Sequence, residues 1–376
     1  MMALVSVVAC ADYELNGVRA AVTAAVDLLG GIVRFVQPGM RVLLKPNLLM
    51  ATDLERAVTT HPAVVRVMAE LVRGAGGEVL IGDSPAGPLH AYHRVWSASG
   101  MAEVAHQTGA RLIPFESVAW KQVQGRDYFI ARPVTEVDLV INLPKLKTHT
   151  LTRYTGAVKN LFGVVPGTRK RELHLHAPGG REFAEVLVDV LELVRPGLTL
   201  MDGVIGQEGN GPGPGGTPRP YGCILASTDP VALDCVATQA MGYRQGEVWH
   251  LAQAATRHLG EADPARIRVE GDGRALDFGS VDIPSERWYS RMPAWLSAPI
   301  ERIVQVRPHL DTTACIGCGA CVEVCPRQII TLEEAGQPPR FDLEQCIGCL
   351  CCAEVCPQGA ITPRRNWAAR LIRIGE

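Results

Sequence analysis

Nine of the twelve cysteines in this 376-residue chain fall between positions 315 and 356, and eight of those nine obey one spacing twice. Cys315, Cys318, Cys321 and Cys325, followed by Pro326, read C-x2-C-x2-C-x3-C-P, and Cys346, Cys349, Cys352 and Cys356, followed by Pro357, repeat it. Iron-sulfide cores bind soft anionic sulfur, and a tight loop of this kind lets three successive thiolates converge on one face of a cluster. Gly317, Gly319 and Gly348 permit the close backbone approach that such a loop needs. Zinc sites take four ligands in isolated pairs, which is a different pattern. In this motif the fourth cysteine of each run serves the other cluster. The expected content is two [4Fe-4S] clusters, one on Cys315, Cys318, Cys321 and Cys356, the other on Cys346, Cys349, Cys352 and Cys325. Cys351, the ninth cysteine, reads as a spare buried thiol whose side chain points away from its neighbour Cys352.

The rest of the chain is too long to be an appendage of that module. With 47% hydrophobic and 20% charged residues it can bury a large core, and two domains are expected. A formal charge of -2 gives no global attraction to nucleic acid, so none is expected as a partner. The N-terminal apolar stretch is short and lacks a basic leader, so it reads as a first strand. No apolar run approaches the eighteen or so residues of a membrane-spanning helix. These features predict a cytoplasmic protein that is not an integral membrane protein.

From residue 1 to 275, short apolar runs alternate with segments of helical period. That alternation predicts an α/β domain, a mostly parallel sheet with helices on both faces. Strands are expected at 4–9, 42–44, 79–81, 111–115, 139–142, 198–201 and 222–226. Val18, Val22, Ala25, Val26 and Leu29 stripe one helix and Phe183, Val186, Leu187, Val190, Leu191 and Val194 another. A third starts at Thr60 or His61, with Pro62 in its first turn. Residues 276–307, with Trp288, Tyr289, Pro293, Trp295 and Pro299, read as a packed connector, 308–363 as a small α+β ferredoxin-like domain, and 364–376 as a basic amphipathic tail.

Polar motifs follow several expected strands: Lys45-Pro46-Asn47, Asp83-Ser84-Pro85 and Lys145-Leu146-Lys147-Thr148-His149. In an open α/β sheet such loops gather at the carboxyl ends of the strands, where ligands bind. Lys145, Lys147, Arg153 and Lys159 suggest a site for a carboxylate or phosphate, against the competing reading of a solvated basic loop. His149 is a candidate general acid or base, since an imidazole ordinarily titrates near neutral pH. His174 and His176 read as part of a polar surface loop, Asp229-Pro230 as a helix start, and Cys223 and Cys235 as core residues. Residues 206–222 hold seven glycines and four prolines, which predicts a long irregular loop acting as a lid or docking surface. No phosphate-binding glycine motif of the nucleotide-binding kinds is present.

The cysteine module resembles the bacterial two-cluster ferredoxins, which implies transfer of single electrons at low potential. The first 275 residues resemble the family called Domain of Unknown Function 362. The stretches that carry the likeness are Leu43 to Leu48, Gly82 to Pro85, Asn142 to His149, Val158 to Gly163 and Asp229 to Asp234. Members of that family often carry the same C-terminal module. A looser likeness to the N-terminal part of nickel-dependent lactate racemases brings no metal-binding histidines to named positions here.

The sequence thus predicts an iron-sulfur oxidoreductase that passes electrons between an external donor or acceptor protein and a site in the α/β domain. Lys145, Lys147 and His149 are its candidate catalytic residues; Lys45, Asn47, Asp83 and Lys159 are the candidates for binding an anionic small molecule. The rival reading is a non-enzymatic electron-transfer or assembly factor whose α/β domain docks a partner protein.

Overall fold

The computed structural model describes residues 2–86, 92–167, 169–284 and 306–365. The aromatic residues of the expected connector, and all of the expected tail beyond residue 365, lie outside the described residues. Strands β1 (Ala3–Ala9), β2 (Arg41–Pro46), β3 (Glu78–Ile81) and β4 (Arg111–Leu112) come first, followed by a side hairpin of β5 (Val118–Val123) and β6 (Arg126–Ala131). Then come β7 (Leu139–Leu143), β8 (Lys145–His149), β9 (Arg153–Thr155), β10 (Leu198–Gly209), β11 (Gly216–Ser227) and β12 (Ile267–Gly271). Apart from β5 and β6 they form one sheet in the order β12-β1-β11-β10-β7-β2-β3-β4, with β8 paired to β10 and β9 to β8. Six of its pairings are parallel. The three antiparallel ones join β1 to β11, β10 to β11 and β8 to β9.

The helices cover both faces, and the strands show why. Along β2, Leu43 enters one core while Val42 and Leu44 enter the other, so the strand is apolar on both sides. Helices Leu15–Asp27 and Pro62–Gly74 close one face. Helices Gly180–Val194, Pro230–Ala240 and Trp249–Thr256 close the other. His61 caps the helix that Pro62 opens, its Nδ1 accepting from Ala63 N–H at 3.2 Å. Asp229 does the same for Val231 and Ala232 at 2.9 and 3.0 Å.

Three expectations need correction. The segment from Lys145 to His149 is a strand with every residue buried, not a loop. Pro144 offers no N–H, so the chain leaves the β7 ladder there and re-pairs with the far half of β10, Asp202 opposite Lys145 and Gln207 opposite Lys147. The glycine- and proline-rich stretch is mostly a twelve-residue strand on each side of a short tip, since β10 and β11 pair as far as Gly209 opposite Gly216. Gly206 is needed there, because a Cβ would stand 2.2 Å from Leu146 O on the adjoining strand. Lastly, Arg169–His176 is a helix, and His174 is buried and stacked on Phe183 with ring centroids 4.1 Å apart. The strand at Arg111 is also short, ending before Pro114.

The C-terminal module pairs Val306–Leu310 with Ile361–Arg365 and holds a small hairpin, Ile330–Thr331 against Arg340–Phe341, between the two cysteine runs. Short helices Ala320–Val324 and Cys351–Glu354 follow the cysteine loops. The module packs onto the α/β domain at several points. Arg171 Nη1 donates to Glu323 O at 2.6 Å, and Ala86 packs against Cys349, Cys351 and Val355. A Cβ on Gly213, at the hairpin tip, would stand 2.5 Å from Glu354 O.

Candidate functional site: two cysteine quartets and a cationic cavity

The two cysteine runs are built alike. In each, the first loop turns through a glycine of positive φ, 61° at Gly317 and 69° at Gly348, and that glycine's N–H donates to the first cysteine's sulfur at 3.4 Å. N–H groups aimed at sulfur favour thiolate, the form that binds iron. Cys315, Cys318, Cys321 and Cys356 line one small cavity, and Cys325, Cys346, Cys349 and Cys352 line a second. Four soft donors ringing a void, with the fourth borrowed from the other run, fit a cubane-type cluster better than a single ion. The quartets differ in setting. Cys318 is exposed and Ile316 beside it is 54% exposed, so the first quartet reaches the surface. The second abuts the α/β domain.

At that junction lies a cavity of about 400 Å³. The α/β side contributes Asn47, Leu48, Leu49, Asp83, Lys147 and Lys159, among others, and Pro212 reaches in from the hairpin tip. The module side contributes Glu323, Val324, Cys351, Glu354 and Val355. These alternate with cysteines of the second quartet: Val324 precedes Cys325, and Cys351 lies between Cys349 and Cys352. A pocket of this size, with apolar stretches of wall and convergent polar side chains, is the usual form of a small-molecule site.

The candidate residues separate into those on the cavity and those behind it. Asn47, Asp83, Lys147 and Lys159 line it; Lys45, Lys145 and His149 do not. Lys45 Nζ is 2.8 Å from Asp83 Oδ1, and Asp83 Oδ2 accepts from Leu48 N–H at 2.7 Å, so a buried ion pair shapes the wall. Gly163 packs on that pair, since a Cβ there would stand 2.0 Å from Asp83 Oδ1. Lys145 faces away, bound to Asp202 at 2.8 Å and to Tyr13 OH at 2.6 Å, with His61 stacked on Tyr13 at 3.6 Å. His149 Nδ1 accepts from Leu151 N–H at 3.1 Å, leaving Nε2 toward Glu354 Oε1 at 3.3 Å across the domain junction.

Electrostatics follow from burial. Lys147 lies well below the usual ammonium range because it is buried, and Lys159 and Lys145 push the same way. Its Nζ donates to Asn47 Oδ1 at 2.7 Å, Val58 O at 2.6 Å and Pro212 O at 3.4 Å, none of them charged. Burial also depresses His149, reinforced by Lys159 and Lys147, while it raises Glu354 against the pull of the same lysines. Burial thus disfavours the charged form of both partners in this contact.

Several lining residues escaped the sequence reading: Thr155, Asn160, Phe162, His174, Lys170 and Cys351. The stretch Val158 to Gly163 was a visible signal. Asn160 Nδ2 donates to Lys45 O at 3.2 Å and to Asn142 Oδ1 at 2.8 Å, tying that stretch to the carboxyl ends of β2 and β7. Nothing local marks Cys351 as a cavity residue.

An α/β domain joined to paired cysteine quartets defines an iron-sulfur electron-transfer protein. Residues 42–239 match the family described as Domain of unknown function (DUF362), and residues 314–360 match a 4Fe-4S dicluster domain. The chain belongs to the first of these families and binds 4Fe-4S clusters through the second. A thylakoid-associated protein of Synechocystis sp. is 37% identical over 246 residues, covering 64% of this chain and 75% of that protein. Among solved structures, the lactate racemase apoprotein of Thermoanaerobacterium thermosaccharolyticum aligns with TM-score 0.36 and 13% identity over 52% of this chain and 49% of that one. A Thermotoga maritima protein aligns with TM-score 0.34 and 11% identity over 57% of this chain and 55% of that one. The chain thus spans about half the length of both structures. Among the described residues, no helix is long and apolar enough to cross a membrane.

Proposed function

We propose that this protein is an iron-sulfur oxidoreductase in which two [4Fe-4S] clusters carry single electrons between a carrier protein and a small molecule held in the junction cavity. One cluster sits on Cys315, Cys318, Cys321 and Cys356, the other on Cys325, Cys346, Cys349 and Cys352. The observation that carries this reading is the shared wall: Val324, Cys351, Glu354 and Val355 line the cavity and are interleaved with ligands of the second quartet. The exposed edge at Cys318 suits exchange with the external carrier. When bound, the clusters supply one-electron transfer; the chain's own residues enclose the acceptor, exclude water and set its charge environment. Asn47, Asp83, Lys147 and Lys159 line the site, and Lys45, Lys145 and His149 hold it from behind.

A concave cavity walled by both domains suits a small molecule better than a purely docking role, which needs a broad face. The test is stopped-flow reoxidation of reduced, desalted protein by two small one-electron acceptors, nitrobenzene and 4-nitrobenzoate. The rate should level off as acceptor concentration rises. In Leu49→Trp, which fills the cavity, it should stay linear and slower at unchanged iron content. Linear rates in both proteins would contradict a binding site for the acceptor.

A further inference from the structure

The cavity holds one ammonium group that the protein leaves unspent. Lys45 and Lys145 are matched by Asp83 and Asp202, and Lys147 Nζ has three neutral oxygens around it. Lys170 donates to Ser84 O, and Arg171 donates to Glu323 O. Lys159 is different. Among the described residues its Nζ makes no hydrogen bond and no ion pair, and it lies 5.6 and 5.8 Å from the ring centroids of Phe162 and Phe183. On the same cavity wall, Thr155 Oγ1 and His174 Nδ1 are also without partners, on residues only 3% and 6% exposed. All three residues line the cavity.

The acidic groups nearby do not balance the basic ones. Asp83 is spent on Lys45 and Leu48, Glu354 faces His149 and also attracts Lys159 from a distance, and Glu323 is on the exposed rim, against Lys45, Lys147, Lys159, Lys170 and Arg171. The surplus is positive, so the missing partner is an anion. Phosphate sites recruit several backbone N–H groups at a helix start. Here the short helix Ala157–Asn160 offers none, because Asp234 already accepts from Ala157 N–H at 2.7 Å and Val158 N–H at 2.9 Å. One ammonium flanked by a hydroxyl and an imidazole matches the two oxygens of a carboxylate. The remaining wall, with Leu48, Leu49, Phe162, Pro212, Val324 and Val355, is apolar.

Resting on the reading of this cavity as the electron-accepting site, we infer that its ligand is a monocarboxylate with an apolar or aromatic body, the carboxylate on Lys159, Thr155 and His174. The experiment is calorimetric titration of oxidised, cluster-loaded protein with benzoate, octanoate and inorganic phosphate. One carboxylate should bind per chain and phosphate should not. Lys159→Met should weaken the carboxylate by about 10- to 100-fold, the worth of a charged hydrogen bond, and Thr155→Val by less. Lys159→Arg should retain most of the affinity, which shows that charge and not folding is lost. Phosphate binding as tightly as benzoate, or benzoate unaffected by Lys159→Met, would overturn the assignment. The two readings fail separately: if nitrobenzene still reoxidises with saturation while no carboxylate binds, only the ligand class is wrong.

Discussion

Gly163 has no room for a methyl group. Its missing Cβ would stand 2.0 Å from Asp83 Oδ1 and 2.6 Å from Lys45 Nζ, so Gly163→Ala must displace a buried ion pair. Breaking such a pair costs about 3–5 kcal/mol, because a desolvated charge is left alone. A loss of that size in denaturant unfolding is expected, and a loss under 1 kcal/mol would mean that the pair relocates freely. The two adjacent cysteines make a sharper contrast. Cys352 belongs to a quartet, whereas Cys351 lines the junction cavity. Cys352→Ala is expected to lose one cluster's visible absorbance and half the iron, and Cys351→Ala to keep both clusters. Equal losses would reassign the ligands.

At the scale of elements, the legible parts were those whose cause is local. Apolar runs announced β1, β2, β3 and β7, and Pro62 after His61 announced a helix start. Twofold cysteine spacing announced the module. What stayed hidden depends on partners remote in the chain. Lys145 and Lys147 read as part of a pocket loop or a solvated basic loop, because lysines are seldom fully buried. Their burial rests on Asp202, 57 positions away, and on Asn47, 100 positions away. The arm of β10 and β11 looked irregular because glycine and proline are poor strand formers, yet Gly203 and Gly206 are where neighbouring strands approach too closely for a side chain. The cavity itself was invisible, since one side of its wall belongs to another domain and no periodicity encodes how two domains dock.

For the whole molecule, buried neutral histidines set the response to acid. His174 and His250 are each pushed down from 6.5 to about 3, chiefly by burial. In the unfolded chain they take up a proton near 6.5, while the folded chain resists until about 3. The unfolded state therefore binds more protons in that window, and stability, complete above it, falls as pH drops. Each such histidine contributes about 1.4 kcal/mol per pH unit. His250 is 0% exposed with neither ring nitrogen partnered among the described residues. His250→Leu should narrow the difference in unfolding free energy between pH 7 and pH 5 by about 2 kcal/mol at equal cluster content; an unchanged difference would mean that His250 titrates normally.

The central claim is positional: one cluster lies against the junction cavity and the other at the surface. Anomalous diffraction at the iron edge, from crystals grown without oxygen, locates the metal directly. Two separate groups of iron are predicted, one among Cys325, Cys346, Cys349 and Cys352 beside the cavity, the other among Cys315, Cys318, Cys321 and Cys356 near the exposed Cys318. A single group of iron, or iron bound to Cys351 in place of Cys352, would contradict it.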